Sequence, residues 1–213
     1  ITANFRGMNF LPVDQLQKNL LSALWHLHAQ PPLFNLLTGM ILQLAPDSYQ
    51  RVAEAVQLML AVVAIWLISA LLAHIMHRRA LRILILLVLS LTPTLTFYVL
   101  YYYSPLAEMV LVALIVLLLI CPSVISVRGA FWLGACICLL GLLHARYHLF
   151  LLTGLLAVFY ALFGRAGKKP FVIALCCLLP LFSWYAKNQI MFGFFGASSW
   201  LGTNVVQAAV QSV

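Results

Sequence analysis

The apolar segments of this chain constrain its fold more than any other feature. The first of them, residues 52–76, exceeds the roughly 20 apolar residues that a transmembrane helix needs. Further apolar segments follow at 81–103, 105–127, 131–143, 149–163 and 170–186. Only 8% of the residues are charged, whereas a soluble domain is about one quarter charged. The sequence therefore predicts an all-α fold, a polytopic transmembrane bundle of about six helices.

Two shorter segments that precede this bundle are predicted to be amphipathic helices in the membrane interface. Residues 15–26 carry leucines at helical spacing. Pro12 stops any preceding helix, and Asp14 is expected to cap the new one. Pro31-Pro32 begins a second helix that ends near residue 44, because proline is tolerated at a helix start. Both segments are too short to cross a bilayer, so we predict that they lie along its surface.

Three regions follow from these segments. We expect an extracytoplasmic loop at residues 1–50, the transmembrane bundle at 51–188 and a second extracytoplasmic segment at 189–213. Within the bundle, Pro93 is predicted to kink the second crossing, and Pro180 lies inside the last one. As a single helix, residues 131–163 would be ~50 Å long against a membrane core of ~30 Å, so we predict a hairpin of two short helices. The chain begins with Ile1 in polar sequence, and we expect it to be incomplete at both ends.

The charged residues predict two chemically different faces. The net charge is +8, but the basic residues lie in short runs between apolar segments, which is typical of loops beside anionic lipid rather than of nucleic-acid binding. If the Arg78-Arg79 loop is cytoplasmic, helix alternation places the acidic residues on the opposite, extracytoplasmic face, where Arg146 and Lys187 also lie. These residues are Asp14, Asp47, Glu54, Glu108, Arg146 and Lys187. This face is therefore the expected location of any active site.

Several polar residues on that face have both a functional and a structural interpretation. Glu108 lies one turn inside a membrane helix, where it either faces a cavity with a partner or sits at headgroup level, favoured by the helix dipole. Arg146 suits a phosphate or pyrophosphate, or else it reaches to lipid headgroups. Asp14 could be a helix cap and nothing more. His28 and Gln30, in the polar stretch between the two interfacial helices, could be interfacial hydrogen-bonding groups.

Four motifs resemble the GT-C glycosyltransferases, the polytopic enzymes related to protein O-mannosyltransferases and lipid A aminoarabinose transferases. A loop acid and a helix followed by His28-Ala-Gln-Pro-Pro-Leu-Phe34 resemble the first luminal loop of that family. The segment Tyr101-Tyr-Tyr-Ser-Pro-Leu-Ala-Glu108 resembles the second luminal loop and its acid. Gly141-Leu-Leu-His-Ala-Arg146 is similar to a basic helix end of the family. Pro180-Leu-Phe-Ser-Trp-Tyr-Ala-Lys-Asn188 with Phe192-Gly193 is similar to a further segment. Their order and spacing also match, and together they cover most of the chain.

The resemblance implies an inverting transfer of a sugar from a polyprenyl-phosphate donor to an acceptor on the periplasmic or luminal face. It implies that Asp14 is the general base, so that Asp14→Asn abolishes transfer. Glu108 would hold a divalent metal, Mg or Mn, or order the donor phosphate, and no organic cofactor is implied.

The same resemblance gives the remaining residues roles in binding. Arg146 and Lys187 would stabilise the leaving phosphate, and His28 and Gln30 would line the sugar or acceptor site. The partners are then the lipid-linked sugar and membrane lipids, with no nucleic acid and with the acceptor left open. The expected location is the bacterial inner membrane rather than the endoplasmic reticulum.

Two other classes of protein remain open at the level of the sequence. A transporter or channel subunit would use Glu108, Arg146 and Lys187 to line a polar path. Such a protein is expected to carry an inverted repeat and broken helices in paired positions, and the two halves of the sequence show no repeat. A non-catalytic scaffold subunit is the third alternative, and it has no use for a face of acids.

Overall fold

The computed structural model describes residues 11–100, 104–120, 126–163 and 168–199, and every regular element in these ranges is helical. The helices are α1 (Val13–Lys18), α2 (Leu20–His26), α3 (Pro32–Leu44), α4 (Tyr49–Ile75), α5 (Arg79–Ser90), α6 (Pro93–Leu100), α7 (Pro105–Ile120), α8 (Val127–Leu143), α9 (Leu149–Phe163), α10 (Lys168–Cys176) and α11 (Leu179–Phe192). The predicted all-α class is therefore confirmed for these residues. Predictions for residues 1–10, 101–103, 121–125, 164–167 and 200–213 lie outside the described residues.

The described residues contain one helix, α4, that is long and apolar enough to cross a membrane. The number rises to three if two bent helix pairs, α5 with α6 and α10 with α11, each count as one crossing. The helices α3, α7, α8 and α9 are apolar but shorter. These findings fit a membrane protein, and the bundle of about six crossings stays a prediction.

Contacts divide the chain into two compact units, and the first comprises Ile1–Leu20 and Asn35–Ile120. Its centre is α4, which packs against α5, α6 and α7. The buried residues of α4 recur every three or four positions and are mostly small: Ala53, Gln57, Ala61, Ala64 and Leu67. Small side chains let two helix backbones approach closely, and α7 provides the facing surface with buried Leu106 and Ala113.

The bend between α5 and α6 measures 56° and confirms the predicted kink at Pro93. Proline has no N–H to donate, and its ring disfavours helical geometry in the residue before it. Thr92 occupies that position, and its hydroxyl donates to Leu89 O at 2.7 Å. The first half-helix therefore ends at Leu89 O, which accepts from both the N–H and the hydroxyl of Thr92.

The segment before α4 corrects two predictions, the single helix at 15–26 and the Asp14 cap, and confirms the helix after Pro31. The predicted helix at 15–26 is two helices, α1 and α2, because Asn19 leaves helical geometry with φ −139°. Asp14 does not cap: Pro12 precedes the first turn, its carbonyl accepts from the Gln15 and Leu16 N–H groups, and Asp14 lies exposed inside that turn. The predicted helix after Pro31 is confirmed as α3.

The second unit comprises Leu21–Phe34 and Cys121–Val213. Its centre is α8, which packs against α9, α10 and α11. At Gly134 of α8, an added Cβ would lie 2.5 Å from Ala174 O and 2.8 Å from Ala174 Cα of α10. The absence of a side chain at this position is therefore what lets the two backbones touch.

Two predictions about the helices of the second unit can be scored. Residues 131–163 form two separate helices, α8 and α9, as predicted, because the backbone of His144 is extended (φ −137°, ψ 128°). The predicted last crossing, 170–186, is wrong in its boundaries. It breaks into α10 and α11 with a bend of 45°, Pro180 stands in the first turn of α11, and the helix continues through Lys187 to Phe192.

Candidate functional site

One end of the second unit gathers polar residues from three distant parts of the sequence. They come from a loop at residues 27–31, from the turn at residues 144–148 and from the C-terminal half of α11 with the segment 193–199 that follows it. We call the last segment the strap. Each of the three parts is polar in the sequence, and α11 contacts the other two.

Lys187 joins α11 to the 27–31 loop. Its side chain is only 7% exposed, and its Nζ donates to Trp25 O at 3.1 Å and to Leu27 O at 2.6 Å. Trp25 O belongs to the last turn of α2, where carbonyls lack helical partners and the dipole attracts a cation. Nζ also lies 3.6 Å from the centroid of the Trp184 ring, a cation–π distance. In this structure Lys187 therefore binds protein carbonyls, and its predicted contact with a donor phosphate stays a prediction.

The strap folds back along α11 because of two residues at the helix end. Gly193 has φ +76° and ends the helix in the left-handed region, which glycine enters without steric cost. Asn188, fully buried, then donates from Nδ2 to Gly196 O at 2.7 Å. Trp184 Nε1 donates to Ala197 O at 3.1 Å. Side chains of α11 therefore hold the strap through its backbone carbonyls.

The strap in turn holds the 27–31 loop around His28. The Ser199 N–H donates to His28 O at 2.9 Å, and the Ser198 hydroxyl donates to Ala29 O. The ring of His28 lies with Nδ1 3.1 Å from Ser199 Oγ and packs on Phe192 with a centroid distance of 4.6 Å. The side chain of His28 stays exposed, so a ring fixed on two sides faces outwards.

The turn at 144–148 is tied to α11 by Tyr185. The Leu149 N–H donates to the Tyr185 hydroxyl at 3.2 Å, and the His148 ring lies 5.2 Å from the Tyr185 ring. Arg146 lies in the same turn and is exposed, and its Nη2 lies 3.5 Å from His144 Nε2. The C-terminal half of α11 therefore contacts both the Arg146 turn and the His28 loop, and it does so from different faces, since Tyr185 and Lys187 are two positions apart.

The remaining predicted residues lie in different surroundings. Gln30 follows in the same loop and is partly buried. Asp14, exposed in α1, and Glu108, in the first turn of α7 with its N–H donating to Ser104 O at 3.0 Å, both belong to the first unit. The roles predicted for these three residues stay predictions.

Among the described residues, no set of side chains fits the predicted divalent metal. Magnesium and manganese prefer about six oxygen ligands, usually including carboxylates. No group of three or more His, Cys, Asp and Glu side chains in the described ranges is arranged to hold a metal ion. Glu108 is a single carboxylate and supplies at most two of these oxygen ligands.

An apolar groove of about 570 Å³ opens between α8, α10 and the start of α11. Cys138, Cys176 and Cys177 line it together with aliphatic and aromatic side chains. The Cys177 thiol, a weak donor, donates to Phe131 O at 3.6 Å. The groove lies in the second unit, towards the end of α11 that is opposite to Lys187.

Searches of the chain against protein-family models, curated proteins and solved structures found no match.

Proposed function

We propose that the chain is a multi-pass membrane glycosyltransferase of the GT-C type. It moves a sugar from a polyprenyl-phosphate donor to an acceptor on the extracytoplasmic face, with inversion at the sugar carbon. The observation that carries this proposal is that α11 contacts two of the predicted motifs: Lys187 binds the His28 loop, and Tyr185 binds the end of the Arg146 turn. The His28 loop is more than a hundred positions from both the Arg146 turn and α11 in the sequence, so this arrangement comes from the fold and not from sequence proximity.

Arg146 is the residue best suited to the donor phosphate. Its guanidinium is exposed, permanently charged and able to bind two phosphate oxygens at once. Negative charge develops on the phosphate as the sugar leaves, and a fixed cation beside it lowers that barrier. Lys187 supports the same site indirectly, because its two bonds to backbone carbonyls hold the loop that carries His28 and Gln30.

The membrane setting of this proposal is a bundle in the bacterial inner membrane. The crossings are α4, the two bent pairs and the shorter apolar helices α7, α8 and α9. The last three are short enough to require a locally thinner bilayer. Single cysteines introduced at chosen positions, labelled with a membrane-impermeant thiol reagent, test this topology. Cysteines in place of His28 or Arg146, or in the strap, are expected to react from outside the cell. Cysteines in place of Arg78 or Arg128 are expected to react only from the inside.

Turnover of labelled polyprenyl-phosphate sugars by the full chain in lipid nanodiscs tests the function directly. Wild-type protein is expected to release polyprenyl phosphate. Arg146→Gln is expected to lower kcat/KM by 100-fold or more, since it removes one charge-stabilising group from the transition state. Arg128→Gln, an exposed arginine in the first turn of α8, is the matched control and is expected to stay within twofold of wild type. Absence of donor binding and turnover across a panel of such sugars would contradict the proposal.

One observation favours the alternative of a transporter. Each unit contains a helix pair broken by a bend, 56° in one and 45° in the other, and transporters bind substrates at discontinuous helices. The second break, however, runs through Cys176, Cys177 and Leu178, which offer no charged ligand for a substrate. Exchange of labelled solute in proteoliposomes without loss of a lipid-linked sugar is the result that would establish the transporter.

A further inference from the structure

His28 is held more firmly than an exposed interfacial histidine needs to be. Its Nδ1 lies 3.1 Å from Ser199 Oγ, its ring packs on Phe192 at 4.6 Å, and its carbonyl accepts from the Ser199 N–H. The carbonyls of both neighbouring residues are also bound. Lys187 donates to Leu27 O, and Ser198 donates to Ala29 O.

These contacts fix the position of one particular atom. The neutral imidazole ring carries a proton on one nitrogen and a lone pair on the other, and the partner of Nδ1 decides which is which. If Nδ1 donates to Ser199 Oγ, the lone pair lies on Nε2. Since Nδ1 and one ring face are occupied and the side chain is exposed, Nε2 is the atom that the loop presents to the outside.

In the tautomer in which Nδ1 donates to Ser199 Oγ, the lone pair on Nε2 is positioned to abstract a proton. General bases act best when the surrounding structure holds them within hydrogen-bond reach of the reacting group, so that little reorganisation remains. The 27–31 loop has no regular secondary structure of its own. Its bonds to Lys187, Ser198 and Ser199 therefore supply the rigidity that a helix would otherwise provide.

We propose that His28, oriented by Ser199, accepts the proton of the acceptor hydroxyl in the sugar transfer proposed above. The acceptor oxygen forms a bond to the sugar C1 while the bond between C1 and the phosphate oxygen breaks. The electron pair of that bond leaves on polyprenyl phosphate, and the hydroxyl proton passes to His28 Nε2. This assignment rests on the proposed function and differs from the sequence resemblance, which gives the same role to Asp14.

Turnover by matched variants tests the assignment. His28→Gln keeps a polar side chain of similar length but cannot accept the proton, and it is expected to lower kcat by 100-fold or more with the donor KM changed less than threefold. Ser199→Ala is expected to lower kcat by about tenfold, because it releases the ring without removing it. The control is His26→Gln, an exposed histidine nearby whose Nδ1 bonds to Ser22 O of its own helix. A His28→Gln rate within threefold of the His26→Gln rate would overturn the proposal.

The ring tautomer gives a readout that does not need turnover. In ¹⁵N-histidine-labelled full-length protein, two-bond proton–nitrogen spectra distinguish a protonated Nδ1 from a protonated Nε2. His28 is expected to carry the proton on Nδ1 and to lose this preference in Ser199→Ala, while His26, whose Nδ1 faces a carbonyl oxygen, keeps its proton on Nδ1 in both. A proton on Nε2 of His28 in a chain that turns over donor contradicts only the assignment of His28. A chain that turns over no donor contradicts the proposed function instead.

Discussion

The central helices of the two units, α4 and α8, are both apolar, but they differ in how much of their surface is buried. α4 buries a single stripe of small residues, and the side chains on its other faces are exposed, with Val62 at 60% and Trp66 at 67%. α8 is shorter and buries residues around much of its circumference, including the consecutive residues Cys136, Ile137 and Cys138. An apolar exterior on a long helix indicates contact with lipid, whereas burial on most sides indicates a helix in the centre of a protein core. Hydropathy by itself does not separate these two cases.

The packing of α8 is expected to be the less tolerant of the two, and Gly134→Ala should have the largest effect. A Cβ at this position meets the backbone of Ala174 at 2.5 Å and 2.8 Å, and backbone cannot move aside as a side-chain tip can. We expect a loss of about 3 kcal/mol in unfolding free energy, at the upper end of overpacking costs. Denaturation in SDS–detergent mixtures measures it.

Gly154→Ala is the control for that experiment. Gly154 lies in α9 with nothing within 4 Å of an added Cβ, and alanine is the better helix former by roughly 1 kcal/mol. Equal stability losses at Gly134 and Gly154 would show that α8 and α10 are not in close backbone contact.

The stripe on α4 should also be sensitive to a larger side chain, with a smaller effect. Ala64 is fully buried, and Ala64→Leu is expected to push α4 away from its neighbours at a cost of about 2 kcal/mol. The matched variant Ala55→Leu adds the same side chain at an exposed position of the same helix and should change stability by less than about 0.5 kcal/mol. If both variants behave alike in thermal unfolding in detergent, α4 does not pack through this stripe.

The starts of the two helices give the smallest expected difference. Ser126 precedes α8, and its hydroxyl accepts from the Gly129 N–H at 3.1 Å, so Ser126→Ala should cost about 1 kcal/mol. Ser48 holds the equivalent position before α4 but makes no side-chain capping bond, so Ser48→Ala should have almost no effect. Hydrogen exchange in the first turn of each helix reports this contrast. Loss of protection at both starts would contradict it.

Local effects of the sequence predicted much of the fold. Apolar length predicted α4, the missing N–H of proline predicted the bend at Pro93, and Pro31-Pro32 predicted the start of α3. Predictions that depended on competition between neighbours failed. Asp14 was expected to cap a helix, but Pro12 begins that helix earlier, and the last predicted crossing is interrupted where α10 ends and α11 begins.

Three residues of the candidate site stand out in the sequence, but their contacts do not. Composition alone draws attention to His28, Arg146 and Lys187, because polar groups are rare in so apolar a chain. The sequence contains no sign that Lys187 binds the carbonyls of Trp25 and Leu27, since backbone carbonyls are the same at every position. Ser199, which orients His28, was missed because serine carries no distinctive signal.

The bond between Lys187 and Leu27 joins residues 160 positions apart, and this separation imposes an order on biogenesis. A ribosome makes the chain from its N-terminus, so the 27–31 loop leaves it long before α11 and the strap exist. The loop can acquire its final shape only after residue 199 has been synthesised. Chains that are truncated before the strap are therefore expected to leave the His28 ring unfixed.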